Sequence, residues 1–507
     1  MVIKLDIFKG EKMKRLKLIL ATIVAVFAAF TGGKALAYDI TVNNGGNGTY
    51  ESYQIFTGDL SGDTLSNIKW GTGISTEGQT ALQNKYSATS AEKLAEKLAT
   101  FSTGEAEAFA KEAAKYLQNP GALTSLVAGY YLVQNKTVGT NEAYTNYILK
   151  VIKNVTVTPK TDVPTVVKKV KDTNDTTGVT SDWQDSADHD INDKVPFQLT
   201  ATLPANYDSY NSYYLNFSDE LSAGLTFNND VEVYVVNGET ETKVTNYFYR
   251  NEVNSQLTVA IQDLKQIAVD GTATITKDSK IVVRYSATLN KDAVIGSKGN
   301  PNTVELIYSN NPNNSGDGSQ KPNTPPTTPP TPPTETGKTP KDTVIVFTYK
   351  TVVNKVDQDK QPLTGAEFTL SKKMKDGSLK EVAVVKNDAG TQFSFKGLDA
   401  GDYVLKETKT PAGYNTIKDI TFTVEAGHET ESDAPKLTNL TGVAASGEIT
   451  FNRDAANEDA LTTTVENRKG SILPSTGSVG TTLLYLVGAA LVVAAGVLLV
   501  TKKRMET

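Results

Sequence analysis

The sequence predicts a mainly β protein made of β-sandwich domains in series, which follow a mixed α/β domain. Short runs of alternating apolar and polar residues recur in residues 155–315 and 342–469, with turn-forming residues between them. Alternation of this kind is typical of half-buried strands, and many short strands favour a sandwich. Residues 90–118 are instead rich in Ala, Glu and Lys, and their apolar residues have helical spacing. A signal peptide and a C-terminal membrane helix are predicted at the two ends.

Residues 1–37 are predicted to be a secretory signal peptide. Basic residues between Lys12 and Lys17 precede an apolar stretch at 18–30, and Ala35-Leu36-Ala37 fits a cleavage site with small residues. The leader would work from either Met1 or Met13. This segment is therefore left out of the predicted fold.

The N-terminal domain, residues 38–157, is predicted to be mixed α/β. Residues 38–42 and 50–56 alternate like strands, and two helices are expected within residues 90–118. Leu94 and Leu98 fit one helical face, and Asn119-Pro120-Gly121 ends the second helix.

The middle domain, residues 158–318, is predicted to be a β-sandwich. Its clearest predicted strands are residues 197–203, 212–217, 231–236, 281–287 and 304–308. Residues 319–341 are rich in Pro and Thr, and such a segment is extended and cannot pack a core. We therefore expect it to link two domains.

The third domain, residues 342–470, is predicted to be a second β-sandwich. A strand at 344–356 and a turn at 357–360 open it. The remaining predicted strands are residues 366–370, 403–407, 420–424 and 461–465.

Composition excludes several kinds of chemistry. The chain has 507 residues and no cysteine, which excludes thiol catalysis and cysteine metal sites. Its two histidines, His189 and His428, are far apart in sequence and give little basis for a zinc site or a Ser–His pair. The net charge of −6 argues against nucleic acid as a partner. No cofactor and no metal are expected.

The C-terminal segment, residues 471–507, has three parts in a fixed order. The first is a box of Leu473, Pro474, Ser475, Thr476 and Gly477. An uncharged apolar run at 481–500 follows, and the chain ends with a basic tail that begins at Lys502. About 20 apolar residues form a helix of roughly 30 Å, enough to span a bilayer, and the cationic tail stays on the cytoplasmic side.

This order resembles the LPxTG cell-wall sorting signal of Gram-positive surface proteins, which a sortase cleaves between Thr and Gly. The resemblance implies a secreted protein that is held briefly by its C-terminal helix and then joined to the cell wall.

Three further motifs extend the resemblance. Lys355 and residues 362–368 look like the opening of a CnaB-type immunoglobulin-like domain, and residues 403–408 look like the E-box of pilins. Residues 155–160 resemble the pilin motif, with Thr158 where Tyr is usual, and residues 302–312 resemble the end of the middle domain of such pilins. The chain resembles a sortase-assembled major (backbone) pilin, which implies tandem CnaA- and CnaB-type domains.

The resemblance implies covalent chemistry between subunits. A pilus sortase would form a thioester at Thr476, and the amine of Lys160 on the next subunit would attack it; Lys153 is the alternative acceptor. Such head-to-tail contacts do not close, so they build a fibre. The implied partners are pilus and housekeeping sortases, further copies of the chain, minor tip and basal pilins, and peptidoglycan, with host or mucosal surface ligands still open.

The family also implies Lys–Asn isopeptide bonds within domains. Burial favours a neutral lysine amine and a protonated carboxylic acid, which together let the amine attack an Asn carboxamide without an enzyme. In the third domain we assign Lys355 to Asn467, with Glu407 as the acid. In the middle domain we assign Lys168 to Asn310, with Asp219 as the acid. Lys169, Asn311 and Asp193 remain alternatives there.

These features predict a structural shaft subunit of a covalently polymerised pilus that supports adhesion. The alternative is a single wall-anchored adhesin with Ig-like stalk domains, or a minor pilin at the tip or base. An exported enzyme is not expected, because the sequence has no Gly-rich phosphate loop, nucleophile elbow or His–carboxylate set.

Overall fold

A computed structural model describes residues 37–43, 48–138, 142–157, 163–269, 271–319, 325–445, 447–470, 487–489 and 491–496. Residues 1–36 of the predicted leader lie outside this described part, as do Lys160, the box at 473–477 and most of the predicted apolar span. Residues 487–489 and 491–496 within that span are helical. Among the described residues, no helix has the length and apolar character needed to cross a membrane.

The N-terminal domain is mixed α/β, as its sequence predicts. A four-stranded sheet in the order β3-β2-β4-β5 packs against three helices, and β1 pairs in parallel with β6. The elements are β1 Ile40–Val42, β2 Thr49–Ser61, β3 Thr64–Trp70, α1 Thr76–Lys85, α2 Ala91–Leu98, α3 Thr103–Ala114, β4 Gly129–Thr137, β5 Asn146–Val151 and β6 Val155–Val157.

Polar caps define where the helices begin. The Ser90 side chain accepts a hydrogen bond from the Lys93 amide at the start of α2, and Ser102 and Glu105 form a capping box at the start of α3. Both helices lie in the predicted stretch. The sequence did not predict α1. Only Gly78 and Leu82 among the ten residues of this helix are buried, so its sequence shows no apolar face.

The middle domain is a sandwich of two sheets. The sheet orders are β10-β21-β19-β12-β17-β16, with β20 also on β19, and β15-β14-β18-β11-β7, with β13 also on β18. The elements are β7 Val166–Val170, β8 Thr173–Asn174, β9 Val179–Thr180, β10 Ser186–Asp188, β11 Lys194–Thr202, β12 Leu215–Leu221, β13 Leu225–Phe227, β14 Glu232–Asn237, β15 Thr240–Val244, β16 Tyr249–Val253, β17 Gln256–Ile261, α4 Leu264–Val269, β18 Lys280–Leu289, β19 Asn300–Ser309, β20 Thr336–Lys338 and β21 Asp342–Phe347.

The Pro/Thr-rich segment is not the connection between the middle and third domains. After it, β20 and β21 both pair with β19, and β21 also pairs in parallel with β10. The predicted strand at 344–356 is thus divided at Thr348, and its first half completes the middle domain. The boundary expected near residue 342 is wrong, because backbone pairing in β21 outweighs the break that the prolines suggest.

The third domain is a sandwich of two five-stranded sheets, in the orders β25-β26-β22-β31-β30 and β24-β23-β27-β28-β29. Its first and last long strands, β22 and β31, lie side by side in parallel. The strands are β22 Tyr349–Val356, β23 Glu367–Lys373, β24 Leu379–Val382, β25 Val384–Lys386, β26 Gln392–Leu398, β27 Gly401–Lys409, β28 Ile420–His428, β29 Leu437–Ala444, β30 Asn452–Asp454 and β31 Ala460–Glu466.

Candidate crosslinking sites

In the third domain, neighbouring strands bring the three predicted side chains together. Lys355 lies on β22 opposite Val465 of β31, and Asn467 follows directly after β31. Glu407 lies on β27 of the facing sheet, and alternation turns it inward with Leu405 and Tyr403. The three groups therefore meet between the two sheets.

The contacts of this site place an amine, a carboxamide and a carboxyl group together in the buried interior. Lys355 is 1% exposed, and its Nζ donates to the carbonyl oxygens of Val356 at 3.1 Å and Val465 at 3.0 Å. Asn467 Nδ2 donates to Glu407 Oε2 at 3.1 Å and to the Asn415 carbonyl oxygen at 2.7 Å. Asn467 Oδ1 and Glu407 Oε1 are buried and accept no hydrogen bond among the described residues.

Burial prepares Lys355 to act as a nucleophile. Removal from water lowers the pKa of its amine to about 8, although the nearby Glu407 acts in the opposite direction. At pH 7 roughly a tenth of this amine is therefore neutral, far more than for an exposed lysine, and only the neutral form can attack a carbonyl carbon.

The middle domain has a second buried site that also contains a lysine, an asparagine and an acidic residue. Lys168 on β7 is fully buried, and its Nζ contacts the carboxylate of Asp219 on β12. The Tyr285 hydroxyl on β18 donates to Asp219 Oδ2 at 2.5 Å and lies 3.1 Å from Lys168 Nζ. Asn302 on β19 is fully buried and donates from Nδ2 to the Tyr285 hydroxyl oxygen at 2.7 Å.

The carboxamide at this site belongs to Asn302, which corrects the prediction of Asn310. Asn302 lies on β19, whereas Asn310 comes directly after the last residue of this strand, eight positions or about 26 Å further along the chain. Asn310 instead donates from Nδ2 to the Glu142 carbonyl oxygen of the N-terminal domain at 3.0 Å. Asp219 pairs with Val304, which sets Asn302 beside it on the same face.

The alternatives for the middle domain are also placed elsewhere. Lys169 Nζ donates to Asp185 at 2.6 Å, and Asn311 accepts the Asn313 amide at the start of a short turn. Asp193 accepts the Asp190 amide and the Lys380 amine. None of the three contacts the Lys168 amine.

The surroundings of Lys168 are strongly apolar. Its Nζ lies 5.4 Å from the centre of the Phe197 ring and 5.5 Å from that of Tyr285. Burial lowers the pKa of Lys168 to about 8 against the opposing pull of Asp219, and burial raises the pKa of Tyr285 well above its usual value. The tyrosine therefore stays a hydrogen-bond donor.

The residues predicted to join subunits are mostly outside the described part of the chain. Lys160 and residues 473–477 are not among the described residues. The alternative acceptor, Lys153, is exposed in the turn between β5 and β6.

Three family models match separate parts of the chain. A Gram-positive pilin backbone subunit 2, Cna-B-like domain matches residues 191–312, and a prealbumin-like fold domain matches residues 350–436. An LPXTG cell wall anchor motif matches residues 469–507. These parts of the chain are thus similar to domains of Gram-positive pilin backbone subunits and to a cell wall anchor. The anchor motif places the chain on the cell surface, joined covalently to the wall or a pilus, and implies a sortase and other pilins as partners.

A known relative aligns with nearly the full length of the chain. The trypsin-resistant surface T6 protein of Streptococcus pyogenes serotype M6 is 26% identical over an alignment of 575 positions, which covers 96% of the chain and 99% of that relative. The structure of the T6 backbone pilin shares the fold, with a TM-score of 0.53 and 20% identity, covering 87% of this chain and 100% of that one. The major pilin SpaD of Corynebacterium diphtheriae has a TM-score of 0.47 and 17% identity, with 86% and 98% covered.

Sequence reasoning missed two residues of the middle site, Asn302 and Tyr285. Asn302 has the same alternation as Val304 and Leu306, so its inward direction was visible in the sequence. Tyr285 occupies an inward position of β18, where an aromatic residue looks like ordinary core. Only the packing of one sheet on the other brings both residues to Lys168.

Proposed function

We propose that this chain is the repeating shaft subunit of its fibre, in which Thr476 of one subunit is joined to Lys160 of the next. A sortase thioester at Thr476 is attacked by the Lys160 amine, and the enzyme thiol leaves as the new amide forms. Two findings support this proposal. The chain matches a pilin backbone model and a cell wall anchor motif, and two successive domains each bury a lysine, an asparagine and an acidic residue together.

Within the third domain, Lys355 forms an amide with Asn467. The neutral amine attacks Cγ of Asn467 beside Glu407, whose Oε2 accepts an N–H of the carboxamide at 3.1 Å. In the resulting intermediate, Glu407 as the protonated acid gives its proton to the carboxamide nitrogen, this nitrogen leaves as ammonia, and Glu407 recovers a proton from the attacking amine. One ammonia is lost for each bond, and no external reagent is consumed.

Within the middle domain, Lys168 forms the corresponding amide with Asn302. Asp219 carries the proton between the lysine nitrogen and the leaving carboxamide nitrogen, and the Tyr285 hydroxyl lies between the three groups. This bond would connect β7 of one sheet to β19 of the other.

The positions of the two amides suit a fibre that bears load. Tension enters the subunit at Lys160, just before β7, and leaves at Thr476, shortly after Asn467. A Lys168–Asn302 amide carries it from β7 across to β19, and a Lys355–Asn467 amide carries it across the third domain. The residues between each linked pair are then shielded from extension.

The deciding experiment is an immunoblot of boiled cell-wall extract from cells that express wild type, Lys160→Ala or Lys153→Ala. A high-mass ladder in wild type and Lys153→Ala, with only monomer in Lys160→Ala, is the expected result. A ladder that is lost in Lys153→Ala instead moves the acceptor to that residue. A single band in wild type would contradict the shaft role and favour a wall-anchored adhesin.

A further inference from the structure

Two carboxyl groups and an imidazole meet at the junction between the middle and third domains. Asp172 lies between β7 and β8, Asp188 ends β10, and His428 ends β28 of the third domain. One side-chain oxygen or nitrogen from each of the three lies within 4.8 Å of the other two. Asp188 is 5% exposed, the His428 side chain 9% and the Asp172 side chain 17%, so one edge of the cluster is open to solvent.

Hydrogen bonds fix the His428 ring so that Nε2 faces the carboxylates. Ser186 Oγ donates to the Glu429 carbonyl oxygen at 2.6 Å and lies 2.7 Å from His428 Nδ1. Because the only hydrogen of this hydroxyl is already used, the hydroxyl can only accept, and Nδ1 must carry a proton. Nε2, which lies 3.5 Å from Asp172 Oδ2, is then the nitrogen that can offer a lone pair. Metal-binding histidines are commonly held in this way, by a hydrogen bond from the ring nitrogen that does not bind the metal.

Backbone amides hold the two carboxylates in place. Asp172 Oδ2 accepts the Asp188 amide at 3.1 Å, and Asp188 Oδ2 accepts the Ala400 amide of the third domain at 3.0 Å. Two ligands that each lie about 2.0–2.2 Å from one ion are at most about 4.4 Å apart. The three clustered atoms therefore need little movement to share one ion.

No lysine or arginine neutralises this pair of carboxylates. In the described part of the chain, neither Asp172 nor Asp188 forms an ion pair with either residue type, and their charged neighbours are histidines. A second carboxylate cluster at the same junction differs, because Lys372 is fully buried there, contacts Asp399 and lies 3.3 Å from Asp190. One cluster thus contains its own cation, and the other does not.

A buried hydroxyl beside the first cluster also lacks a partner. Tyr349 is fully buried, and its hydroxyl makes no hydrogen bond among the described residues. Burial, and after it the charges of Asp188 and Asp172, raise the pKa of Tyr349 well above its usual value, which places this hydroxyl next to the two carboxylates. An unpaired buried hydroxyl is costly. It indicates that a polar group other than those of the chain belongs in this space.

We propose that Asp172, Asp188 and His428 bind one divalent transition-metal ion, with Zn²⁺ as the best fit, and that this ion ties the middle domain to the third. Mg²⁺ and Ca²⁺ prefer oxygen ligands alone, whereas two carboxylates and one imidazole suit Zn²⁺. A water on the remaining coordination position could bond to the Tyr349 hydroxyl. Both proposed amides lie within single domains, so the ion would strengthen a junction that they do not cross, and its binding does not depend on them.

Zinc binding by the full chain tests the site. The chain is made without a polyhistidine tag, stripped with a chelator and titrated with Zn²⁺ by calorimetry at about pH 7, where the ligands can lose their protons. We expect one Zn²⁺ per chain and at least tenfold weaker binding of Ca²⁺. His428→Gln and Asp188→Asn should each weaken Zn²⁺ binding at least tenfold, because each removes a ligand or its charge.

His189→Gln is the matched control. His189 lies at the same junction, where its amide donates to the Phe347 carbonyl oxygen at 3.0 Å, but its Nε2 lies 2.9 Å from the Lys171 carbonyl oxygen and it is not one of the three clustered residues. This variant should bind Zn²⁺ as wild type does. Since the chain has only two histidines, ¹⁵N-histidine labelling identifies the ligand. Zn²⁺ should shift the Nε2 signal of His428 far more than either signal of His189.

Hydrogen exchange shows whether the ion ties the domains together. The Ala400 amide donates to Asp188 and the Ile191 amide donates to the Gly397 carbonyl oxygen, both across the junction. At free Zn²⁺ of about 100 times its dissociation constant, the protection of these amides should rise at least tenfold. The rise should occur in wild type and in the control variant, and not in His428→Gln.

The Phe422 amide, in the core of the third domain, shows that each variant is folded and should stay protected in all of them. No zinc binding by wild type, or equal zinc affinity in wild type, His428→Gln and Asp188→Asn, would overturn the site. Zinc binding that leaves the protection of the Ala400 and Ile191 amides unchanged would overturn its role between the domains.

Discussion

Asn302 donates its carboxamide N–H to the Tyr285 hydroxyl oxygen at 2.7 Å, and this contact joins the two sheets of the middle domain at Lys168. Asn310, directly after β19, donates instead to the Glu142 carbonyl oxygen of the N-terminal domain. The two buried asparagines therefore have different contacts, and each can be tested separately.

The choice of asparagine in the middle domain can be read from the intact mass. We expect wild type to lack two ammonia molecules relative to its sequence, one for each amide. Asn302→Ala should lack one, because Lys168 then has no carboxamide to attack, whereas Asn310→Ala should still lack two. Mass spectrometry of the folded proteins measures this directly. A single deficit in Asn310→Ala, with two in Asn302→Ala, would favour the Lys168–Asn310 pairing.

Loss of the third-domain crosslink should cost stability. The Lys355–Asn467 amide closes a loop of roughly a hundred residues, which corresponds to ~4.7 kcal/mol in the loop-entropy model. We expect Asn467→Ala to lower the free energy of unfolding of this domain by several kcal/mol, measured by denaturant titration.

Asn354→Ala is the matched control for that experiment. Asn354 lies next to Lys355 on β22 but is partly exposed, and among the described residues its side chain bonds only to Gln392. It should retain the ammonia deficit and most of the stability. Equal losses in Asn354→Ala and Asn467→Ala would show that the amide contributes little.

Tyr285→Phe should slow crosslinking in the middle domain without disturbing the core. The ring would still stack on Phe197 at 5.4 Å, but Asp219 and Asn302 would lose their shared hydroxyl partner. The crosslinked fraction, followed by mass spectrometry after synthesis, should rise more slowly than in wild type.

Tyr213→Phe provides the comparison for this variant. Its hydroxyl is buried and has no hydrogen-bond partner among the described residues, so its removal should leave the crosslinking rate unchanged. If Tyr285→Phe matures as fast as Tyr213→Phe, the Tyr285 hydroxyl has no part in the reaction.

An uncrosslinked third domain should become more stable as the pH rises. In Asn467→Ala, Lys355 keeps its amine, whose pKa is lowered to about 8 in the folded state by burial. The unfolded chain then binds the proton more tightly, so the free energy of unfolding should rise between about pH 8 and pH 10.5, by up to ~3 kcal/mol.

Unfolding curves of Asn467→Ala across this pH range measure the effect. The double variant Lys355→Met, Asn467→Ala removes the titrating group and should give a flat profile there. A slope that persists in the double variant would assign the pH dependence to another residue.

Much of the third-domain site was predictable from the sequence. Lys355, Glu407 and Asn467 lie in or beside strands whose alternation indicates an inward face, and the motifs around them indicate which strands pair. The middle site was predicted less well because Asn302 on β19 and Asn310 directly after it are both an even number of residues from Val304, so periodicity alone cannot separate them.

The sequence by itself determined the anchor motif, the strand-rich domains and the inward faces of their main strands, because these depend on local composition and on a period of two. Only the tertiary structure decided that Asn302 meets Lys168, that β21 completes the middle domain, and that His189 and His428 share one junction. These relationships depend on the register between strands and the packing of sheets, where contacts form between residues more than a hundred positions apart.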